Sequence, residues 1–113
     1  MNEKFAVEFL PEAVEYMNSL EIKVREKIYY NIKKAQFIND NELFKKLNEN
    51  IWEFRTLYKG KAHRIFSFWD KRGEERTLVL ATHGIIKKTN KTPLKEIEKA
   101  EHIRKQYLKV NLK

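Results

Sequence analysis

The stretch from Ile51 to Trp69, IWEFRTLYKGKAHRIFSFW, decides the fold. Two runs rich in aromatic and β-branched residues flank the segment Lys59-Gly60-Lys61. This pattern is typical of two antiparallel strands joined by a short loop that contains glycine. The sequence therefore predicts a β-hairpin at the start of the second half of the chain.

Arginine interrupts the apolar pattern in both predicted strands. Because strand side chains alternate between faces, Arg55 lies on the face opposite to Trp52, and Arg64 lies opposite to His63. An arginine in a half-buried strand is paired or faces a ligand. Two interpretations stay open, namely a solvated face with an ion pair to Glu53, or a basic platform for an anionic chain.

Length and composition exclude several classes of protein. The 113 residues are predicted to form one domain, 1–113, and the absence of cysteine excludes disulfides, thiol catalysis and cysteine-ligated zinc. No apolar run reaches the roughly 18–20 residues that a membrane span needs. Met1–Pro11 lacks the features of a signal peptide. We therefore expect a soluble, cytoplasmic protein without a membrane partner.

Positive charge is concentrated in the half of the chain that begins with the hairpin. Residues 1–50 carry eight lysines and arginines against nine acidic residues, whereas residues 51–113 carry sixteen against seven. Such asymmetry favours a polyanionic partner, either nucleic acid or an acidic protein.

The remaining pattern predicts a β-α-α-β-β-β-α order and the α+β class. The predicted elements outside the hairpin are a strand at Lys4–Phe9, helices at Pro11–Leu20 and Glu21–Phe37, helical turns at Glu42–Leu47, a central strand at Thr77–Thr82, and a helix at Pro93–Leu108 that follows a possible cap at Thr92. We expect the helical pair to cover one face of a mostly antiparallel sheet. His83–Lys91 is predicted to be a loop rich in lysine.

Motifs for metal, nucleotide or nucleophilic chemistry are missing. The three histidines show no HxxxH or HxH spacing, and the chain has no GxGxxG, GxxxxGK[ST] or GxSxG sequence. We therefore expect no metal and no cofactor. A basic, aromatic surface suits cleavage of RNA, in which the ribose 2′-OH attacks its own phosphate while the enzyme positions the backbone and stabilises charge.

Candidate catalytic residues are the cations and one histidine. Arg55 and Arg64 are the best phosphate contacts, because arginine offers a bidentate fork. Lys87 and Lys88 belong to a second cationic cluster, for which a plain solvated loop is the alternative. His83 is either a proton shuttle or a structural histidine.

Candidate RNA-binding residues surround these groups. Lys59 and Lys61 contact the RNA backbone or only add solubility at the turn, and Lys91 extends the second cluster. Tyr58, together with Glu53, is a further candidate for proton transfer. We interpret Trp52 and Trp69 as core residues rather than as contacts to RNA. We interpret His102 as a surface residue.

The order of these motifs resembles the HigB-like, phage-derived branch of the RelE/ParE toxin superfamily. The matching segments are Trp52-Glu53-Phe54-Arg55, Arg64-Ile65-Phe66, His83-Gly84-Ile85-Ile86-Lys87-Lys88 and Thr92-Pro93. The resemblance implies a twisted antiparallel sheet with two N-terminal helices on one face, a C-terminal helix and a basic concavity.

The resemblance also implies a function. Members of this branch are toxins of type II toxin–antitoxin systems that cleave mRNA on the ribosome without a metal, and a helix-turn-helix (HigA-like) antitoxin is their partner. Some relatives use a Tyr or His near the C-terminus for proton transfer, and we do not carry this role over to Tyr107. Two alternatives stay open: a non-cleaving ParE-like toxin that poisons DNA gyrase, and a basic RNA-binding module.

Overall fold

Five strands and three helices make up the part of the chain that the computed structural model describes, residues 2–73 and 77–110. Their bounds are β1 Ala6–Phe9, α1 Pro11–Asn18, α2 Ile22–Phe37, β2 Phe44–Lys46, β3 Ile51–Tyr58, β4 Lys61–Asp70, β5 Leu78–Lys87 and α3 Leu94–Val110. The α+β class predicted from the sequence is confirmed.

The strands form one sheet in the order β1-β5-β4-β3-β2. The pairs β2–β3, β3–β4 and β4–β5 are antiparallel, whereas β1 is parallel to β5. The predicted hairpin is confirmed as β3 and β4, joined by a two-residue turn. Lys59 and Gly60 at this turn have φ angles of 49° and 78°, and positive φ at both central residues is what a type I′ hairpin turn requires.

Helices cover both faces of the sheet. The α1/α2 face packs apolar residues of the two N-terminal helices against the sheet, as the sequence predicted; the buried residues there include Ala13, Met17, Ile28, Ile32, Phe54, Ile65 and Val79. The α3 face carries a second cluster, with Ile51, Phe66, Phe68, Leu80 and Ala100 buried. Because α3 contacts only part of this second face, the part near the hairpin turn stays open for other side chains.

The prediction of helical turns at Glu42–Leu47 is wrong. The segment forms β2, in which Phe44 pairs with Phe54 and Lys46 pairs with Trp52. Phe44 is buried, and its ring stacks on the Phe54 ring with centroids 4.2 Å apart. The apolar spacing fitted a helical turn equally well, and cross-strand packing favours the strand.

The prediction that the last strand ends at Thr82 is also wrong, because β5 continues through Gly84 to Lys87. The ring of Tyr16 packs directly against Gly84, where a Cβ atom would clash with it. Glycine at this position therefore permits close approach of α1 to the sheet, rather than ending the strand. Thr82 is skipped in the register between β4 and β5, which is a β-bulge.

Among the described residues, no helix combines the length and apolar character that crossing a bilayer would need.

Candidate functional site

A basic hollow lies on the α3 face near the hairpin turn. Arg55 on β3 pairs directly with Arg64 on β4, so their Cα atoms are about 5 Å apart and their side chains share a face. The hollow has a volume of about 160 Å³, and its lining consists of Glu42, Arg55, Thr56, Leu57, Ala62 and Arg64. Two arginines from separate strands are thereby brought to one concave surface.

A buried carboxylate lies beneath the two arginines. Glu53 is 2% exposed, and its Oε2 lies 3.7 Å from Nε of Arg55 and 3.6 Å from Nε of Arg64. Its Oε1 accepts a hydrogen bond of 3.3 Å from the hydroxyl of Thr92, just before α3. The ion pair to Glu53 foreseen in one interpretation therefore exists, and it is shared by both arginines.

The guanidinium groups keep unused hydrogen-bond donors. Arg55 Nη1 donates to the carbonyl of Asn41 at 3.3 Å, and Arg64 Nη1 donates to the carbonyl of His63 at 3.2 Å. The buried Nε–H groups of both arginines have no hydrogen-bond partner among the described residues. Because each guanidinium has four N–H donors besides Nε–H, the Nη–H groups that do not bind these carbonyls are the donors left for an anion in the hollow.

Two lysines add to the positive charge. Lys87 pairs with Ala62 in the β4–β5 register, next to Arg64 and Ile85. The pKa of Lys87 is lowered, first by partial burial and then by the positive charges of Arg64, Arg55 and Lys45, against the raising effect of Glu53.

Burial, the largest cause, also lowers the pKa of Arg64, and Arg55 adds to this while Glu53 and Glu42 oppose it. Glu42, at the rim, has a side chain that is 85% exposed. Four cations therefore surround the hollow and only two carboxylates oppose them. This excess of positive charge favours binding of a negatively charged phosphate.

The other predicted lysines of the second cluster lie outside the hollow. Lys88 and Lys91 are exposed in the connection between β5 and α3, and no described ion pair or side-chain hydrogen bond holds either ammonium group.

His83 lies under α3, away from the two arginines. It is 3% exposed, its ring stacks on Phe66 with centroids 4.8 Å apart, and Nε2 lies 3.1 Å from Oε1 of Glu96. Because the carboxylate can only accept, Nε2 donates to Glu96. Nδ1 lies 2.9 Å from the hydroxyl of Thr82, whose oxygen is also 3.3 Å from the carbonyl of Phe66. Burial is the main cause that lowers the pKa of His83. This geometry favours the structural interpretation, and we leave His83 out of the site proposed below.

The residues of the hairpin turn lie on the other side of the sheet. Tyr58 and Lys61 pair with each other and share the α1/α2 face with His63. With Lys59 they line a separate cleft of about 300 Å³ beside the joint between α1 and α2. The sequence grouped these residues with Arg55 and Arg64, but the alternation of strand side chains separates them.

His63, which lines this cleft, forms a pair with a tyrosine of α1. The hydroxyl of Tyr16 lies 2.6 Å from Nδ1 of His63. Burial raises the pKa of Tyr16 to about 12, and burial followed by the charges of Lys61 and Arg64 lowers the pKa of His63. The tyrosine therefore donates to a neutral imidazole. Since the two residues are 47 positions apart, no local sequence signal could have identified the pair.

Sequence reasoning missed two parts of the hollow. Lys45 of β2 faces it because Lys45 pairs with Glu53 of β3, and β2 was not predicted as a strand. Thr92 was predicted as a helix cap, but its hydroxyl donates to Glu53 instead. Among the described residues, no group of three His, Asp or Glu side chains lies close enough together to hold a metal ion.

Two features define this site: the paired arginines on adjacent central strands, and the hydrogen bond from Thr92, just before α3, to Glu53. A family model described as phage derived protein Gp49-like (DUF891) matches residues 15–105. The chain belongs to the Gp49-like family. This family is a RelE/ParE-like toxin family, and membership suggests an antitoxin partner. The matched segment runs from α1 into α3 and contains every residue of the basic hollow. No curated protein matches the chain.

Proposed function

We propose that this Gp49-like protein is the toxin of a type II toxin–antitoxin system and cleaves mRNA on the ribosome, as a HigB-like endoribonuclease. The observation that carries the proposal is the pairing of Arg55 and Arg64 in one hollow above a single buried carboxylate. Lys87 and Lys45 add charge to the same surface.

The hollow suits cleavage by the RNA's own 2′-hydroxyl. The 2′-oxygen forms a new bond to phosphorus, the bond from phosphorus to the 5′-oxygen breaks, and the products carry a 2′,3′-cyclic phosphate and a 5′-hydroxyl. The 2′-oxygen loses a proton, and the 5′-oxygen gains one. Arg55 and Arg64 would bind the non-bridging oxygens, and Lys87 would stabilise the negative charge that grows on the phosphoryl oxygens in the transition state.

Dependence on the ribosome is supported by what the hollow offers for proton transfer. Its described lining contains no histidine and no tyrosine, its one carboxylate, Glu42, is at the exposed rim, and Glu53 is buried beneath the arginines. The hollow therefore supplies positive charge that binds and orients the phosphate, but few groups that could transfer a proton. A larger assembly that bends the mRNA into line would supply the missing part of the rate enhancement.

The test is expression of the protein in bacterial cells with primer-extension mapping of mRNA ends. We expect growth arrest and new 5′ ends within translated regions, and no new ends when translation is blocked beforehand. Arg64→Ala should abolish the new ends, since it removes the fork that binds phosphate, and Lys87→Gln should reduce them about tenfold or more. Circular dichroism must show that each variant is folded.

Lys34→Gln is the matched control, because Lys34 is exposed on α2, on the other side of the sheet. It should cleave like the wild type. Intact mRNA during growth arrest, accompanied by DNA damage signalling, would reject the nuclease and favour a gyrase poison. Harmless overexpression would favour a plain RNA-binding module.

The partner that we propose is a helix-turn-helix (HigA-like) antitoxin encoded beside this protein. It would neutralise the toxin by covering the basic hollow with acidic residues. Coexpression of the neighbouring reading frame should restore growth and give a complex that copurifies. Continued arrest without any complex would count against this partner.

A further inference from the structure

A second cleft lies at the end of the sheet opposite the hairpin turn. It has a volume of about 470 Å³, and its lining consists of Lys46, Glu49, Asn50, Trp52, Trp69, Lys71 and Arg104. Pockets for small ligands have about 300–1,000 Å³, so the cleft is large enough for one nucleotide. The cleft contains none of the residues that line the basic hollow.

Two tryptophans form the wall of the cleft. The rings of Trp52 and Trp69 meet edge to face, with centroids 5.6 Å apart and an interplanar angle of 68°. Phe44 stacks on Trp52 from the core side at 4.8 Å, which fixes the orientation of the indole. Both tryptophans remain partly exposed. Rigid, partly exposed indoles are the side chains on which unpaired bases stack.

Cations surround the aromatic wall. The ammonium group of Lys71 lies 5.2 Å from the ring centroid of Trp69, and Lys46 and Arg104 line the same cleft. The opposing charges are Glu49 in the lining and Glu101, which lies 2.6 Å from Nη1 of Arg104. The cleft therefore combines stacking surface with a net positive rim, which is the arrangement that single-stranded nucleic acid favours.

The edge strand β2 connects this cleft with the basic hollow. Lys45 pairs with Glu53 and faces the hollow, whereas the next residue, Lys46, pairs with Trp52 and lines the cleft. Because β2 is the outermost strand and only three residues long, a polyanion can pass around it. Consecutive lysines would then contact the same strand of phosphates on the two sides of the sheet.

We propose that the cleft lined by Trp52 and Trp69 binds a base of single-stranded RNA whose backbone continues around β2 to the phosphate held at Arg55 and Arg64. The inference rests on the proposed function for the identity of the nucleic acid and adds a base-binding subsite to it. A stacked base accounts for about a tenfold gain in affinity, and the cleft thereby positions the RNA relative to the hollow.

Tryptophan fluorescence tests this inference directly, because the chain has two tryptophans and both lie in the cleft. The full-length protein is titrated with a single-stranded hexanucleotide whose riboses are 2′-O-methylated, so that cleavage is blocked. A hexamer of the same charge without bases serves as the matched ligand. We expect the hexanucleotide to quench the emission, and the abasic hexamer to bind about tenfold more weakly without quenching.

A pair of charge variants locates the binding. Lys46→Gln combined with Lys71→Gln should weaken the quenching titration about tenfold, because two cations beside the cleft are lost. Lys23→Gln combined with Lys34→Gln removes the same charge from exposed positions on α2 and should bind nearly as the wild type does. All four side chains are exposed, so the folded state should persist in both variants.

Two results would overturn the inference: unchanged emission when anisotropy of a labelled hexanucleotide shows saturation, or equal quenching by the abasic hexamer. Failure of the proposed function is distinguishable from both. If mRNA stays intact in cells while the hexanucleotide still quenches, the nuclease is rejected and the base-binding cleft stands. If Arg64→Ala abolishes cleavage but no ligand quenches the wild type, the cleft is rejected and the nuclease stands.

Discussion

At the scale of single residues, the site depends on the ratio of positive to negative charge around Glu53. Its carboxylate is nearly inaccessible, and Arg55 and Arg64 are both within 4 Å of it. One buried carboxylate cannot neutralise two guanidinium groups, but its negative charge offsets the repulsion between them and holds both side chains in the hollow. Glu53 is therefore a positioning residue, and the surplus positive charge is left for a ligand.

Replacement of this carboxylate should destabilise the protein strongly. Glu53→Gln should lower the free energy of unfolding by about 3 kcal/mol, because two partly buried arginines lose their counterion. Urea unfolding followed by circular dichroism measures the change.

Glu42→Gln is the matched control. Glu42 lies 3.8 Å from Arg55 but is largely exposed, and its removal should change the stability by less than about 1 kcal/mol. Combining Glu53→Gln with Arg64→Met should restore part of the lost stability, since the unpaired cation is removed as well. Equal effects of Glu53→Gln and Glu42→Gln would contradict the role assigned to Glu53.

At the scale of elements, a buried histidine links a helix to each face of the sheet. On the α3 face, His83 of β5 donates to Glu96 of α3. On the opposite face, His63 of β4 accepts from Tyr16 of α1. Burial lowers the pKa of both histidines. Both rings therefore stay neutral at a pH at which an exposed histidine would begin to take up a proton.

These shifts make the stability of the fold depend on pH. When the pKa of a histidine is lower in the folded state, the unfolded state binds more protons as the pH falls. Acid therefore favours unfolding. The free energy of unfolding should therefore be constant above the ordinary histidine pKa of about 6.5. It should fall below that pH, as the pH approaches the lower folded-state values. Urea unfolding between about pH 8 and pH 5.5 measures this slope.

Variants should assign the slope to the two linking histidines. His83→Gln and His63→Gln should each be less stable than the wild type near pH 7.5 but lose less stability on acidification. His102 is exposed on α3, and His102→Gln should keep the full slope. A slope that survives removal of both buried histidines would contradict this assignment.

At the scale of the whole molecule, the net charge of +8 is unevenly distributed. Arg55, Arg64, Lys87 and Lys45 act on one face of the sheet near the hairpin turn. The turn lysines Lys59 and Lys61 instead line the cleft on the opposite face. A polyanion that uses both the hollow and the tryptophan cleft has to pass around the β2 edge.

The salt dependence of RNA binding should follow this distribution. Each phosphate contact contributes about 0.7 to the slope of log affinity against log salt for single strands. Lys45→Gln combined with Lys87→Gln should therefore reduce the slope by about 1.4, if each lysine contacts one phosphate. The double variant of Lys23 and Lys34 on α2 should keep the wild-type slope. Fluorescence anisotropy at several salt concentrations gives both slopes, and equal slopes would place the phosphates elsewhere.

The sequence predicted the hairpin, the helical pair, the last helix and the α+β class, because each depends on local periodicity and turn chemistry. It failed at Phe44–Lys46 and at Gly84. A three-residue strand has too few residues for a periodic signal, and the role of Gly84 depends on Tyr16, which is 68 positions earlier in the chain. Both errors arise from packing between distant segments.

For the site, alternation along β3 and β4 sufficed to predict that Arg55 and Arg64 each interrupt the apolar pattern of a strand, and the structure places them side by side. Only the tertiary structure decided which other charges join them. Lys45 lies beside them on the edge strand β2, and Thr92, just before α3, donates to Glu53 beneath them. His83 is instead buried beneath α3 and lies outside the hollow. The physical reason is that period and turn geometry act between neighbouring residues, whereas the electrostatic surroundings of a side chain are set by whatever the folded chain brings within a few ångströms of it.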